Sequence, residues 1–219
     1  MSKVPVATIT FFSAAHLFSI AHAALERLKN VQERYSGNPD ACVAVLFAAA
    51  SLEAFANEVG YLAREPLQAN PEIRNLGDLF EELEFSASIQ SKFLLLRALI
   101  ARKPYDKGAN PYQDFSLLIA LRNELVHRKA ERYEVDAADA PLTTNALLER
   151  LRSKNITAEP RMGANQVWGL FSAIETRAVA RWALAAAAAM MKDVAASAPQ
   201  ELRSLLEGRY PLILTYAAV

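Results

Sequence analysis

Glycine is scarce in this chain and alanine-rich apolar stretches are long, and this combination most constrains the fold. Only 7 of the 219 residues are Gly, whereas 53% are hydrophobic. Alanine is the best helix former, and turn-rich β architectures use more glycine than this. We therefore expect an all-α protein, whose length suits one domain, 1–219, with a continuous core.

Apolar residues recur at helical spacing in five long segments. These segments span about 13–35, 39–64, 86–102, 112–129 and 167–196. Short helices are expected near 145–151 and 200–207, before an apolar tail, 211–219, that must pack on its own domain or on a second subunit. The second helix is apolar on nearly every side and should lie centrally. The simplest arrangement is an antiparallel up-and-down bundle of about five main helices, with an elaborated loop, 131–166, after the fourth.

Charge and cysteine content limit the partners and cofactors. The 24 basic residues balance the 24 acidic ones, so the chain lacks the global positive field of a non-specific nucleic-acid binder. An anionic partner would need a local patch. The single cysteine, Cys42, excludes an intramolecular disulfide and a cysteine-based zinc cluster, and we expect no metal or other cofactor. A reducing cytoplasm is the natural compartment.

The N-terminal apolar run, 4–21, has some features of a signal peptide, because residues 21–23 imitate a cleavage site. However, His16 interrupts the run, and the helical pattern continues to Leu25 beyond the cleavage site. We therefore interpret this run as part of a first helix that Ser13 caps. No other stretch is expected to span a bilayer, and no membrane partner is expected.

The segment 117–127 carries the candidate site. Each helical residue advances by about 100°, so the apolar side chains of this segment form one broad arc, and Arg122 falls inside that arc. Asn123 and His127 are four residues apart and share the opposite face. An arginine aimed at packed apolar surface needs an acidic partner, because an unpaired buried charge is very costly.

The second helix offers such a partner. It has no charged residue between Asp40 and Glu53, and Asn57 follows Glu53 one turn later. We hypothesise that Glu53 accepts a bidentate hydrogen bond from Arg122 and that Asn57 helps to align it. The alternative is a buried pair that only fixes the packing of the two helices.

Segment 122–127 reads Arg-Asn-Glu-Leu-Val-His. It resembles the signature of the HEPN domain, which consists of an arginine, a polar residue, three variable residues and a histidine, in that order. Segment 52–57 is similar to the second helix of several bacterial members. The family is a helical bundle, and many members are metal-independent endoribonucleases of toxin or antiphage systems whose dimer interface builds the active site. The resemblance therefore implies a homodimer that acts on RNA, with an antitoxin or a nucleotidyltransferase as a further partner.

The resemblance also implies roles for the motif residues. His127 would transfer protons, since imidazole exchanges them near neutral pH, while Arg122 and Asn123 would stabilise and orient the phosphate. Arg122 and His127 lie about 140° apart on one helix, so one copy makes a poor pocket and a twofold axis would unite two sets. The alternative for His127 is an exposed histidine at a helix end.

Basic residues flank the motif and could follow a phosphate backbone. Arg128, Lys129 and Arg132 come directly after it, and Arg102 and Lys103 lie on the preceding helix and loop, which we expect to return close to it. The alternative is that these residues lie at a solvated helix C-terminus, where the helix dipole favours cations. Two other functions stay open: a non-catalytic helical protein-interaction module, which the apolar tail and neutral charge favour, and nucleotide binding in a groove between helices.

Overall fold

The computed structural model describes residues 11–64, 78–79, 82–83, 86–127, 145–158 and 169–217. These residues form an all-α bundle. Its helices are α1 Ala14–Arg27, α2 Asp40–Arg64, α3 Ile89–Ile100, α4 Tyr112–His127, α5 Ala146–Arg152, α6 Leu170–Ile174, α7 Arg177–Ser197, α8 Gln200–Arg209 and α9 Pro211–Thr215. Five of these described helices have twelve or more residues, which confirms the predicted bundle of about five main helices. Most of the predicted loop, 131–166, lies outside the described residues.

Helix α2 lies at the centre of the bundle, as its apolar surface predicted. It packs along α1 and α7 and also contacts α3, α4 and α8. Leu52, Phe55 and Val59 of this helix are fully buried. By length and composition alone, Asp40–Ala63 could cross a membrane, and the expectation that no stretch of this kind spans a bilayer stays a prediction. More than half of this stretch is buried inside the bundle, as in a core helix.

A buried carboxylate on α2 joins the first helix to the last ones. Oε1 of Glu58 accepts hydrogen bonds from the backbone N–H groups of Ser13 and Ala14, at 2.5 and 3.0 Å, and from the Ser13 hydroxyl. Oε2 accepts the Tyr210 hydroxyl at 2.6 Å. Ser13 therefore does not cap α1 with its own side chain, because its backbone is already helical and its hydroxyl donates to Glu58. The Glu58 carboxylate satisfies this helix end instead.

Two helices are shorter than the sequence predicted. Helix α1 ends at Arg27 rather than near residue 35, because the following turns bind another part of the chain: the N–H of Asn38 donates to the Glu175 carbonyl. The predicted helix 167–196 is interrupted after α6, where the Thr176 side chain accepts a hydrogen bond from the N–H of Val179 and caps α7. Both boundaries depend on contacts between segments that are distant in sequence.

The apolar tail packs on its own chain as far as the structure describes it. Helix α9 contacts α1, α7 and α8. The Tyr216 ring lies edge-on to the rings of Phe18 and His22, with centroids 5.5 and 6.0 Å apart. Lys192 donates a hydrogen bond to the Tyr216 carbonyl. His22 is therefore a packing residue, whereas His16 is exposed.

Candidate functional site

Helix α4 presents the motif much as its periodicity predicted. The core-facing side chains of 115–121 are buried, and Asn123 and His127 are exposed on the opposite side. Arg122 is half-buried rather than sunk in the core. The last turn of α4 emerges from the bundle, since Val126 on the apolar arc is 51% exposed. Arg122 thus lies where the helix leaves the core.

Arg122 lines a polar groove of about 230 Å³ between α2, α3 and α4, which we call the motif groove. Arg122 and Asn123 form one wall, Glu53 forms another, and Ser88 and Gln90 at the start of α3 form the third. The other described residues that line it are apolar: Ala49, Ala87, Ile89 and Ile119. The structure therefore brings together three of the predicted site residues and adds two polar groups, Ser88 and Gln90, that the sequence did not single out.

The predicted bidentate hydrogen bond between Arg122 and Glu53 is not formed. Nη1 of Arg122 donates instead to Oδ1 of its neighbour Asn123, at 3.0 Å. The Glu53 carboxylate is exposed, although it lines the same groove. Because water reaches both side chains, neither charge requires the other for solvation. Arg122 and Glu53 share a cavity without neutralising each other.

Asn57 has a different partner from the predicted one. Its Oδ1 accepts a hydrogen bond from Nζ of Lys92, at 2.8 Å, and Lys92 is only 1% exposed. Lys92 is thus the buried cation of this region, a role that the sequence analysis gave to Arg122. Its long aliphatic stem packs like an apolar side chain, so the hydropathy pattern gives no signal for it. Asn57 therefore fixes α3 on α2 and does not align Glu53.

The predicted RNA-binding residues do not gather at the motif groove in the part of the chain that the structure describes. Arg128, Lys129 and Arg132 lie outside it. Arg102 and Lys103 are exposed and follow the end of α3, whereas the start of α3 lines the groove. Twelve helical residues rise by about 18 Å, so these two cations lie far from the groove.

A larger cavity of about 610 Å³, which we call the alanine groove, lies between the start of α4 and α7. Trp182 and several alanines form most of its wall. Charged groups at its rim are already paired: Asp114 accepts from Lys154 and from Trp182 Nε1, and Asp193 accepts from Arg97 at 2.8 Å. These groups hold helices together, and the groove mainly offers apolar surface.

One thiol and two phenol groups away from the two grooves have raised pKa values. Burial raises the pKa of the Cys42 thiol to about 11, so it is a poor nucleophile at neutral pH. Burial, reinforced by the hydrogen bond to Glu58, raises the pKa of Tyr210, and burial also raises the pKa of Tyr105. Among the described residues, no three His, Cys, Asp or Glu side chains cluster as metal ligands would.

Comparison of the chain with protein-family models, with curated proteins and with solved structures finds no match. The resemblance to the HEPN family therefore rests on segments 122–127 and 52–57 and stays a prediction.

Proposed function

We propose that this chain is a HEPN-like homodimer that binds RNA and cleaves it without a metal ion, in a toxin or defence system. One observation supports this most: Arg122 and Asn123 line a polar groove, and His127 is exposed on the same face as Asn123, one helical turn further along. Asn123 and His127 are about 6 Å apart along the helix axis. A phosphate held at the Asn123 side chain would therefore lie beside the imidazole.

The proposed reaction is attack of a ribose 2′-hydroxyl on the adjacent phosphorus. The bond from O2′ to phosphorus forms and the bond from phosphorus to O5′ breaks, which leaves a 2′,3′-cyclic phosphate and a free 5′-hydroxyl. A base removes the proton from the 2′-hydroxyl, and an acid protonates the departing O5′. His127 is the proposed proton-transfer group, while Arg122 stabilises the negative charge on the phosphate oxygens and Asn123 orients the phosphate.

One protomer supplies a single His127, whereas proton removal and proton donation need two groups. A twofold axis beside the end of α4 would bring a second imidazole to the same phosphate. Val126 is also exposed there, so this end of the helix has apolar surface to bury in such a contact. The dimer is therefore part of the proposed mechanism.

The test is to incubate purified protein with mixed RNA in EDTA and to measure its mass in solution. Wild type is expected to be dimeric and to cleave, and His127→Ala should lower the rate about 100-fold or more, as expected for loss of a proton-transfer group. His16→Ala is the matched control, because His16 is also exposed but lies on α1. Absence of cleavage in all three proteins, or equal cleavage by wild type and His127→Ala, contradicts the enzymatic proposal.

A second candidate is a non-catalytic protein-interaction module. It is favoured by the dispersal of the described cations: Arg97 is paired with Asp193, and Arg102 and Lys103 lie far from the motif groove. The tail also leaves some apolar surface in water, because Leu212 is 42% exposed although Tyr216 packs against Phe18. On this hypothesis RNA does not bind, and fluorescence anisotropy with a labelled single strand at low salt distinguishes the two functions.

A further inference from the structure

The motif groove has the size of a site for one planar ring system. Its volume, about 230 Å³, is below the roughly 300 Å³ at which sites for drug-sized ligands begin. Ile89 and Ile119 supply apolar lining against which a flat ring can pack, while polar groups stand around it. An unstacked RNA base matches this combination of an apolar face and a polar edge.

The polar groups around the groove differ in what they can offer a ligand. Glu53 is exposed and its carboxylate can accept two hydrogen bonds side by side. The Arg122 guanidinium has one N–H engaged by Asn123 and further donors that remain for a phosphate or a carbonyl oxygen. Gln90 adds one amide, which both donates and accepts. The carboxylate of Glu53 is therefore the group that selects among bases.

Only one RNA base offers two adjacent hydrogen-bond donors that match the two oxygens of a carboxylate. The Watson–Crick edge of guanine carries its ring N–H beside its amino group, and both can donate to the two oxygens of Glu53. Adenine and cytosine place a ring nitrogen acceptor beside their amino group, and uracil places carbonyl oxygens on both sides of its N–H. Each of these would set a lone pair against the carboxylate, which a negatively charged acceptor disfavours.

We infer that the motif groove binds a guanine base, with Glu53 as the residue that determines the specificity. The inference rests on the proposed function, because it makes the substrate RNA and places the scissile phosphate next to the bound guanosine, toward Asn123 and His127. Glu53 thus contributes to substrate choice and not to proton transfer.

The test is to titrate the protein with the four ribonucleoside 3′-monophosphates by calorimetry. Guanosine 3′-monophosphate is expected to bind roughly 5- to 150-fold more tightly than the other three, the range for one bidentate contact with a base. In Glu53→Gln the side-chain amide offers one acceptor and one donor, which can pair with an adjacent donor and acceptor on any of the four bases, so the preference for guanosine 3′-monophosphate should be lost. Glu207→Gln is the matched control, because Glu207 is exposed on α8 and outside the groove, and it should keep the preference for guanine.

Equal affinities for the four nucleotides, no measurable binding, or an unchanged guanine preference in Glu53→Gln each overturn this inference. Sequencing of the RNA ends separates it from the proposed function. Cleavage that depends on His127 but shows no preference at the cut keeps the ribonuclease and removes the guanine site. Selective binding of guanosine 3′-monophosphate without any cleavage keeps the guanine site and removes the ribonuclease.

Discussion

Two glutamates of α2, five residues apart, have opposite surroundings. Glu58 is 9% exposed, and both of its carboxylate oxygens accept hydrogen bonds, from the start of α1 and from Tyr210. Glu53 is exposed, lines the motif groove and is not paired with Arg122. Five residues turn a helix by about 140°, so one carboxylate faces the packed helices and the other faces solvent. The buried carboxylate holds the fold, and only the solvated one is available to a ligand.

The substitution Glu58→Ala should have the largest effect, because it tests whether the buried glutamate of α2 stabilises the fold. This change leaves the N–H groups of Ser13 and Ala14 and the Tyr210 hydroxyl without their acceptor. We expect a loss of about 3–5 kcal/mol in the free energy of unfolding, because hydrogen bonds to a charged group contribute about 1.5–3 kcal/mol each and abandoned buried donors add a desolvation penalty. Urea denaturation followed by circular dichroism measures this loss.

Glu53→Ala is the matched control for this experiment, since it removes the same side chain from the exposed face of the same helix. Its effect should stay within about 0.5 kcal/mol. Equal urea midpoints for the two variants contradict the assignment of different roles to the two carboxylates.

The Glu58 site also predicts a dependence on alkaline pH. The pKa of Tyr210 is raised by burial and by the hydrogen bond to Glu58, whereas a tyrosine in the unfolded chain ionises near pH 10. Below about pH 10 both states keep the proton, and the stabilisation is complete. Above it the unfolded state ionises first, so the free energy of unfolding falls by up to about 1.4 kcal/mol per pH unit for this group.

Urea midpoints between about pH 9 and 12 measure this effect. Wild type should lose stability more steeply than Tyr210→Phe, by the slope of about one proton. Other tyrosines with a raised pKa, such as Tyr105, are common to both proteins and cancel in the difference. Parallel slopes would show that the Tyr210 hydroxyl ionises alike in both states.

At neutral pH, Tyr210→Phe should have a smaller effect than Glu58→Ala. It removes one hydrogen bond, while Glu58 keeps the donors of Ser13 and Ala14, and the ring keeps its edge contact with Phe55 at 5.2 Å between centroids. We expect a loss of about 1–2 kcal/mol in the free energy of unfolding, measured by urea denaturation. A loss as large as that of Glu58→Ala would mean that the stabilisation by Glu58 comes from its hydrogen bond with Tyr210 and not from those with the start of α1.

The main helices could be predicted because apolar periodicity reports which face is buried, and α4 follows its pattern closely. The C-terminal end of α1 and the break before α7 could not, since they are set by contacts between distant segments, such as the hydrogen bond from the N–H of Asn38 to the Glu175 carbonyl. A turn held by a remote carbonyl has no local signature. Propensity alone therefore extended both helices too far.

The exposure of the candidate side chains was predictable on α4 and not on α2, for the same reason. Asn123 and His127 stand out on α4 because the other face is apolar, whereas α2 is apolar almost all round and its pattern does not say which glutamate faces inward. The prediction then paired Arg122 with Glu53 by charge complementarity alone, because Glu53 is the first charged residue of α2 after Asp40. Two buried polar contacts near these helices, Glu58 with Tyr210 and Lys92 with Asn57, join residues that no spacing rule connects.

The smallest expected effect is also the one that separates the two interpretations of Glu53. If Glu53 and Arg122 formed a buried pair that fixes helix packing, Glu53→Gln would lower the free energy of unfolding by about 3 kcal/mol or more. Because Glu53 is exposed and Arg122 already bonds to Asn123, we expect a change within about 0.5 kcal/mol. The same purified variant serves for the nucleotide titration, so an altered base preference with an unaltered urea midpoint assigns the carboxylate to the ligand. A midpoint lowered as far as in Glu58→Ala would instead make both glutamates structural, and the contrast between the two faces of α2 would no longer hold.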